Sequence, residues 1–419
     1  MNDDIQCRSC GGALSRTVVN LGSHPSANRL IPPDRAGETE PRFPLRVFVC
    51  EHCLLVQIPH NHAADDIFND GYLYFSSYSQ DWVAHAERYV ETVTEHFGLG
   101  ASSLMIEIAS NDGYLLQHAV KRGIPCIGID PARGCAEAAA DKGVETIVDF
   151  FSTETAERVA AERGRADLIC GNNVFAHVPP LNDFVAGITR LLKPDGVLTL
   201  EFPHLQRLIE DCQFDTIYDE HYSYFSLTAA KGVLERHGLR VFDVERLPTH
   251  GGSLRIYACH STFDGHGEQP GVAEVLGAER DAGLHDMSAY DGFQPRVDRV
   301  IAGFAQFLAE ENAAGRRVCG FGAAAKGNTF LNTFGAGPDT LMFVCDHTPA
   351  KQGRLLPGSR IPVVSPDRLA AEKPDTVVIL PWNVAAEIIR RNADVFDWGG
   401  KFATFIPERR EYRTLDDLA

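Results

Sequence analysis

A chain of 419 residues exceeds what one compact core normally holds, so two to three domains are expected. A formal net charge of -18 argues against a non-specific nucleic-acid binder, and it requires any site for an anionic ligand to be locally basic or lined by backbone amides. The 44% apolar and 23% charged residues are those of a globular protein, with no apolar run near the ~20 residues of a membrane span. Met1-Asn-Asp-Asp4 lacks the basic and apolar segments of a signal peptide. Seven of the eleven cysteines (Cys126, Cys135, Cys170, Cys212, Cys259, Cys319, Cys345) stand singly, several in apolar strand-like runs where a thiol acts as a small hydrophobe. A reducing cytoplasm is the expected location.

Two Cys-x-x-Cys turns come first, Cys7/Cys10 and Cys50/Cys53. Each can grip a metal with two thiolates, and together they close a tetrahedral S4 shell around a structural Zn2+. Gly11-Gly12 supplies permissive backbone after the first pair. The alternating run Phe43-Pro-Leu-Arg-Val-Phe-Val49 predicts a strand entering the second pair, as in a zinc ribbon. The loop between the pairs is longer than in the commonest zinc fingers, and a redox dithiol is the competing reading. His52, His60 and His62 are alternative ligands, but four cysteines already fill the shell.

From Ser102 the pattern turns to alternating strands and helices. Leu104-Met-Ile-Glu-Ile-Ala109 predicts a buried strand, Asn111-Asp-Gly113 a turn, and Tyr114-Leu-Leu-Gln-His-Ala-Val120 a helix. Pro125-Cys-Ile-Gly-Ile-Asp130 predicts a second strand, ending in an acid suited to ribose hydroxyls. This is the doubly wound pattern, whose ligands lie at the carboxyl ends of the strands. The dinucleotide fingerprint G-x-G-x-x-G is absent. In its place Glu107-Ile-Ala109-Ser-Asn111-Asp112-Gly113 suits a cofactor without a pyrophosphate, S-adenosylmethionine (SAM), approached closely at the single glycine. Asp149 and Phe150 offer an acid and an aromatic to an adenine ring. Ala166-Asp-Leu-Ile-Cys-Gly-Asn172-Asn173-Val174 predicts a strand running into two asparagines. Leu191-Leu-Lys-Pro-Asp-Gly196 predicts a helix end and a turn before the strand Val197-Leu-Thr-Leu-Glu-Phe202. That ordered set resembles class I SAM methyltransferases.

Further along, Phe214-Asp-Thr-Ile-Tyr218-Asp219-Glu220-His221-Tyr-Ser-Tyr-Phe-Ser226 is dense in aromatics around a Tyr-x-Glu-His core. Beside it stand Tyr72-Leu-Tyr74-Phe-Ser-Ser77, Asn173-Val-Phe-Ala-His177-Val-Pro179, His250-Gly-Gly-Ser-Leu-Arg255 and Gly320-Phe-Gly-Ala-Ala-Ala-Lys326-Gly327. With these stretches the chain resembles, over nearly its whole length, the sugar C-methyltransferases that act on nucleotide-linked deoxysugars. One departure is Ala109, where many members carry glycine; it crowds the region of the cofactor's carboxylate.

Methylating carbon needs a carbanion equivalent, which a 4-keto sugar offers beside its ketone. His221 is a plausible base because a neutral imidazole titrates near working pH. Glu220 would orient or polarise that base, Tyr218 would bond the ketone or relay a proton, and His177 would face the transferring methyl. Tyr72 and Tyr74 complete the catalytic candidates. The assignment of the base among His221, His177 and Tyr218 stays open, and a solvated charged loop is the competing reading of Asp219-Glu220-His221.

A helical pattern from Arg299 to near Gly315 precedes a second strand and glycine turn, Arg317-Val-Cys-Gly-Phe-Gly-Ala-Ala-Ala-Lys-Gly327. Strands at Leu341-Met-Phe-Val-Cys-Asp346, Thr376-Val-Val-Ile-Leu380 and Lys401-Phe-Ala-Thr-Phe-Ile-Pro407 then predict a second Rossmann-like fold. A helix N-terminus with Lys326 would cradle phosphates. The resemblance implies sugar-nucleotide binding here, with the pyrophosphate near Lys326 and Asn328, and Arg255, Arg354 and Trp382 as further contacts.

The expected fold is α/β: a class I SAM methyltransferase core, a small N-terminal zinc-ribbon-like domain and a second, C-terminal Rossmann-like domain. The units are zinc binding at 1–65, SAM binding with an active-site insertion at 66–300, and sugar-nucleotide binding at 301–419. The expected activity is SAM-dependent methylation of carbon, at C3, of a nucleotide-linked (dTDP) 4-keto-6-deoxysugar through an enolate. Competing readings are O- or N-methylation of a related sugar, an oxidoreductase built on the C-terminal domain and Asp346, and a non-catalytic zinc-ribbon scaffold.

Overall fold

The structure, a computed structural model, describes residues 5–59 and 75–418. The N-terminal domain is an antiparallel sheet of β1 (Arg16–Pro25), β2 (Arg42–Val49) and β3 (Val56–Gln57). Alternation along β2 buries Leu45 and Val47 and leaves Arg46 in solvent. Helix α1 (Gln80–Phe97) starts where Ser79 Oγ accepts the Trp82 amide and ends at left-handed Gly98, φ 63°.

The central domain alternates β4 (Met105–Ile108), α2 (Leu116–Lys121), β5 (Cys126–Ile129), α3 (Arg133–Ala140), β6 (Glu145–Ile147), α4 (Thr153–Arg163), β7 (Ala166–Asn172), α5 (Leu181–Leu191) and β8 (Leu192–Pro203). After α6 (Leu205–Glu210), β9 (Ser223–Tyr224) and α7 (Leu227–Glu235), strands β10 (Leu239–Leu247) and β11 (Ser253–His260) return to the sheet. Its order is β10-β11-β8-β7-β4-β5-β6, with β4 to β8 parallel and β11 antiparallel to β8. The expected class I core is therefore present. One detail differs: residues 193–196 are no free turn. β8 begins directly after α5, and its pairing jumps from Ala166↔Leu192 to Leu168↔Val197, so the Lys-Pro-Asp-Gly stretch bulges from the strand.

Helices α8 (Pro270–Asp281) and α9 (Phe293–Ala313) lead to the C-terminal domain. It contains β12 (Val318–Phe321), α10 (Ala325–Phe334), β13 (Val344–Cys345), β14 (Val363–Val364), α11 (Asp367–Glu372), β15 (Thr376–Ile379), α12 (Ala385–Arg391), β16 (Lys401–Thr404) and β17 (Arg410–Tyr412). Its sheet, β14-β13-β12-β15-β16-β17, is parallel except for β17. Helix α9 runs unbroken past residue 300.

Packing divides the chain differently from the sequence order. One apolar core joins Leu45 and Val56 of the N-terminal sheet, Phe214, Ile217 and Tyr222 beyond α6, and Phe304, Phe330 and Phe405 of the C-terminal half. Strand β9 pairs with β3 and completes the N-terminal sheet. The Tyr218–His221 stretch is thus mounted on the first and last domains, while the turn after β4 belongs to the central sheet. Among the described residues no helix is long and apolar enough to cross a membrane.

Candidate active site

The β1–β2 pairing carries the two cysteine turns together across the long loop between them. All four sulfurs lie within 4.8 Å of one another, with Cys7–Cys53 and Cys10–Cys50 each 3.5 Å apart. A tetrahedral Zn–S shell has sulfurs about 3.8 Å apart, so Cys7, Cys10, Cys50 and Cys53 fit a structural Zn2+. His52 lies against Gly12, outside the cluster, and His60 and His62 fall outside the described residues. Cys7 Sγ accepts from Gln57 Nε2 at 3.1 Å, Gln57 Oε1 accepts the Arg8 amide at 3.0 Å, and the Arg8 guanidinium lies 5.4 Å from the Tyr222 ring centre. The metal cluster is therefore wired to the residue after His221. None of the seven single cysteines is in a disulfide, and six of them are buried.

The turn after β4 is held by Asp130, at the end of β5, whose two carboxylate oxygens accept the Asn111 and Ala132 amides at 2.9 Å each. Ala109, Asn111 and Gly113 all have positive φ, 59°, 49° and 73°. A Cβ on Gly113 would stand 3.1 Å from Ala139 Cβ. That glycine therefore also lets the turn pack against α3. Glu107 is fully buried, and desolvation with Asp130 and Asp112 nearby pushes its carboxyl well above the usual range. Asp112 Oδ1 and Ser110 Oγ are buried and find no hydrogen-bond partner among the described residues. Such an acid-rich cradle suits a cationic cofactor bearing an amine and ribose hydroxyls. Glu107, Asp112, Asp130 and Asn172 would hold SAM.

Two expected adenine contacts are placed less simply. Asp149 Oδ2 already accepts from Arg158 at 2.6 Å and Thr155 at 3.2 Å, and Phe150 beside it is half-buried. Asn173 has φ 55° and Nδ2 3.0 Å from Nε2 of His250, itself at φ 55°. Trp82 meets His250 edge-on at 5.1 Å and stacks near Tyr114 at 5.9 Å, walling this end of the site.

Tyr218, Glu220 and His221 sit between the turn at Phe214–Thr216 and β9. His221 Nδ1 lies 2.8 Å from the Thr216 carbonyl oxygen, which only an N–H can satisfy. Nε2 therefore carries the lone pair, 2.6 Å from Tyr218 Oη. Burial and the neighbouring His177 hold His221 well below the ordinary histidine range, so the ring is neutral. His177 stands edge-on at 4.6 Å; burial pushes its pKa to about 4, against a hydrogen bond to the Glu220 backbone. The Thr216 carbonyl holds the His221 ring, while Glu220, expected to orient or polarise it, bonds elsewhere. Both Glu220 oxygens lie 2.9 Å from Asn28 Nδ2, and burial with Asp219 beside it pushes the carboxyl up to about 8. Tyr72 and Tyr74 fall outside the described residues.

Lys326 opens α10, with Nζ 3.3 Å from the His250 carbonyl oxygen, 3.4 Å from Asn383 Oδ1 and 5.1 Å from the Trp382 ring centre. Burial lowers its pKa and the Asp215 carboxylate opposes that shift. Trp382 donates its indole N–H to Asp215 at 2.9 Å. Lys326 therefore stands at the seam of the central and C-terminal domains. Asn328 is buried and donates to the Ala27 carbonyl at 2.7 Å, so its amide N–H is turned to the N-terminal domain. Arg255 is likewise withdrawn: it is buried against Glu201 at 2.6 Å and Glu245 at 2.9 Å. Arg354 lies in the loop before β14, outside the walls of the large cleft. That cleft, of about 830 Å³, runs between α1 and the carboxyl ends of the C-terminal sheet, with Trp82, His85, His250, Asp346, Lys351 and Asn383 among its walls.

Asp346 repeats the geometry of Asp130, accepting the Ala323 and Thr348 amides at 2.8 Å each. Sequence reasoning passed over Asn28, Trp82, His85, Glu201 and Asp215. Trp82, one of three tryptophans, was the one conspicuous signal; the others gain meaning only from contacts distant in the chain.

Comparison with known proteins agrees with this layout. Family models match as a zinc binding domain over residues 7–68, a methyltransferase domain over 82–244 and a C-methyltransferase C-terminal domain over 248–407. The chain is 39% identical over 405 residues to C-methyltransferase NovU of Streptomyces niveus, covering 97% of this chain and 96% of that protein. A ubiquinone biosynthesis O-methyltransferase of Bartonella tribocorum is 26% identical over 95 residues, 22% of this chain and 38% of that one. Magnesium protoporphyrin IX methyltransferase (ChlM) from Synechocystis PCC 6803, solved with bound SAM, shares 15% identity over 47% of this chain and 89% of its own, at TM-score 0.33, too slight a likeness to argue from. With its zinc-binding domain, class I core and C-terminal domain in one order along nearly the whole chain, the protein belongs to the SAM-dependent C-methyltransferase family.

Proposed function

We propose that this C-methyltransferase methylates carbon, at C3, of a 4-keto-6-deoxysugar linked to a nucleoside diphosphate, with thymidine as the expected base. The observation that carries the reading is the buried, neutral His221 whose Nε2 lone pair meets the Tyr218 phenol at 2.6 Å. When bound, SAM supplies an electrophilic methyl on a sulfonium whose charge favours an adjacent anion. His221 Nε2 takes the proton from the carbon beside the ketone, and the C–H electrons pass into the enolate. The Tyr218 hydroxyl, displaced from Nε2 by that proton, donates to the oxygen where negative charge gathers. Bound SAM would supply the methyl to that enolate carbon, the C–S electron pair staying on sulfur, and His221 later gives its proton to solvent. Burial among Tyr222, Tyr224 and Phe225 keeps water from quenching the carbanion. On the cleft walls Arg88, Lys351 and Arg391 balance Asp81, Asp346 and Glu387, so the walls themselves are not net acidic in a protein of net charge -18, and Lys326 behind them adds the positive charge an anionic carrier needs.

The test incubates the enzyme with SAM and a thymidine-diphosphate 4-keto-6-deoxysugar lacking the C2 oxygen, and follows product by mass spectrometry and NMR. The expected product gains one methyl on carbon, and His221→Ala abolishes the gain. A methyl found on oxygen would sink the C3 reading. No gain with SAM shown to bind would remove the sugar and leave the methyltransferase.

A further inference from the structure

The turn Phe214–Thr216 carries the carbonyl that anchors His221, and the C-terminal domain grips that turn at two points. Phe214 is fully buried, its ring stacked 6.0 Å from that of Phe330 in α10. Asp215 is fully buried too: its Oδ2 accepts the Trp382 indole N–H at 2.9 Å, and its Oδ1 finds no partner among the described residues. Trp382 opens a short 3-10 turn, Trp382–Val384, after β15. Room for the indole is made by Gly251, φ 91°, where a Cβ would stand 2.5 Å from the ring. Gln213 Nε2 donates to the Gly251 carbonyl at 2.7 Å and closes the seam. Asn383 and His250 line the large cleft, and Trp382 stands outside its walls.

We propose that Trp382 is a positioning residue of the methyl-transfer site: its indole N–H, acting through Asp215 and the Thr216 carbonyl, holds the tautomer and aim of His221. The proposal rests on His221 acting as the base. Every link is a short contact: indole to Asp215 at 2.9 Å, the chain from Asp215 to Thr216, and the Thr216 carbonyl to His221 Nδ1 at 2.8 Å. The turn is also bonded to itself, the Thr216 amide to the Gln213 carbonyl at 3.1 Å and the Ile217 amide to that of Phe214 at 3.0 Å, so it shifts as one body. Without the indole, the buried carboxylate loses the side-chain donor at Oδ2 and moves to find another. A shift of the turn then releases His221 Nδ1–H, and the imidazole populates both tautomers. In the wrong one Nε2 carries the hydrogen and cannot take a proton from carbon. The same indole centre lies 5.1 Å from Lys326, so the C-terminal domain and the base share one side chain.

The experiment uses full-length, zinc-loaded protein carrying nitrogen-labelled histidine. Long-range proton–nitrogen correlation spectra read the His221 ring, assigned through His221→Gln, and Tm checks folding. Wild type should show one tautomer, with Nδ1 protonated and Nε2 bare. Trp382→Phe keeps an aromatic face for Lys326 and loses the N–H; it should show both tautomers in exchange. Its kcat should fall about tenfold to hundredfold, with KM for the nucleotide sugar and SAM affinity each within about threefold of wild type. Asp215→Leu breaks the same bond from the other side and should repeat that signature, so either variant decides if the other fails to fold. Asp215→Asn retains an acceptor for the indole and should retain the single tautomer. A single wild-type tautomer in folded Trp382→Phe or Asp215→Leu overturns the proposal, and mixed tautomers in Asp215→Asn would assign the effect to charge and overturn it as well. So does a raised KM with wild-type kcat, which would make Trp382 a substrate contact. If the tautomer follows Trp382 in an enzyme that binds SAM yet methylates no keto sugar, the substrate reading falls while the Trp382–His221 linkage stands.

Discussion

The Tyr218 phenol and the His221 imidazole share one hydrogen bond of 2.6 Å, with the far side of the imidazole anchored on the Thr216 carbonyl at 2.8 Å. The anchor decides the tautomer, so the lone pair faces the phenol. His221→Gln should slow methyl transfer about 10²- to 10⁴-fold, and Tyr218→Phe about 10²-fold. Deuterium exchange beside the ketone without SAM, read by NMR, separates proton abstraction from transfer. Undiminished exchange in His221→Gln would reject His221 as base. Because burial holds this imidazole well below the ordinary range, wild-type kcat should stay level from pH 8 down to 6.5, with any acid limb below that.

Stability should fall on the acid side through the buried histidines. His24, His177 and His250 are each pushed down to about 4 by burial. Between that value and the unfolded pKa of about 6.5 the unfolded chain binds more protons, so stability rises with pH across this window and is lost as pH drops through it. One unit below 6.5, each should cost on the order of 1 kcal/mol. Urea unfolding at fixed zinc, at pH 7 and 5.5, measures the loss. His24→Asn, far from the proposed site, should lessen it; an unchanged slope would count against the burial argument.

Arg255 should reveal itself in stability. Its guanidinium balances Glu201, which is fully buried and also bonded by His85 at 2.9 Å. Arg255→Ala leaves that carboxylate without its cation, at a cost of about 3–5 kcal/mol. Denaturation curves should show it. A variant of wild-type stability with a raised KM would restore Arg255 to the substrate.

Metal removal should uncouple catalysis from cofactor binding. Cys7 holds Gln57, Gln57 lies on β3, and β3 pairs with β9 two residues beyond His221. Cys7→Ser should therefore lower methyl transfer at least tenfold while SAM affinity, seated on the central sheet, changes by about threefold or less. Calorimetry with SAM and a transfer assay give the two numbers. Parallel loss of both would mean that the metal supports the whole fold.

Ala109 occupies left-handed backbone, φ 59°. An alanine there costs about 1–2 kcal/mol, of which glycine's extra freedom in the unfolded chain returns about 0.4–1. Ala109→Gly should stabilise the protein by about 0.5–1 kcal/mol, measured by chemical denaturation. A loss of stability would show that the methyl packs usefully.

Much of this protein was legible in its residues because the chemistry was local. Four cysteines in two tight turns can form an S4 shell, short apolar runs bounded by turn residues read as buried strands, and an acid ending the strand at Asp130 sits where a doubly wound sheet exposes its ligands. Tertiary structure decided what local pattern does not encode. Asn28 and Glu220 lie 192 residues apart, and no spacing rule pairs them. Arg255 and Asn328 read as substrate contacts, and packing gave the first to Glu201 and the second to the Ala27 carbonyl. Gly113 read as a cofactor contact, and packing added the close approach of Ala139 to it. The Tyr218–His221 stretch read as part of the central domain, yet its apolar neighbours lie in the first and last. A side chain's partner is set by which surfaces are buried together, and that depends on the whole chain's packing.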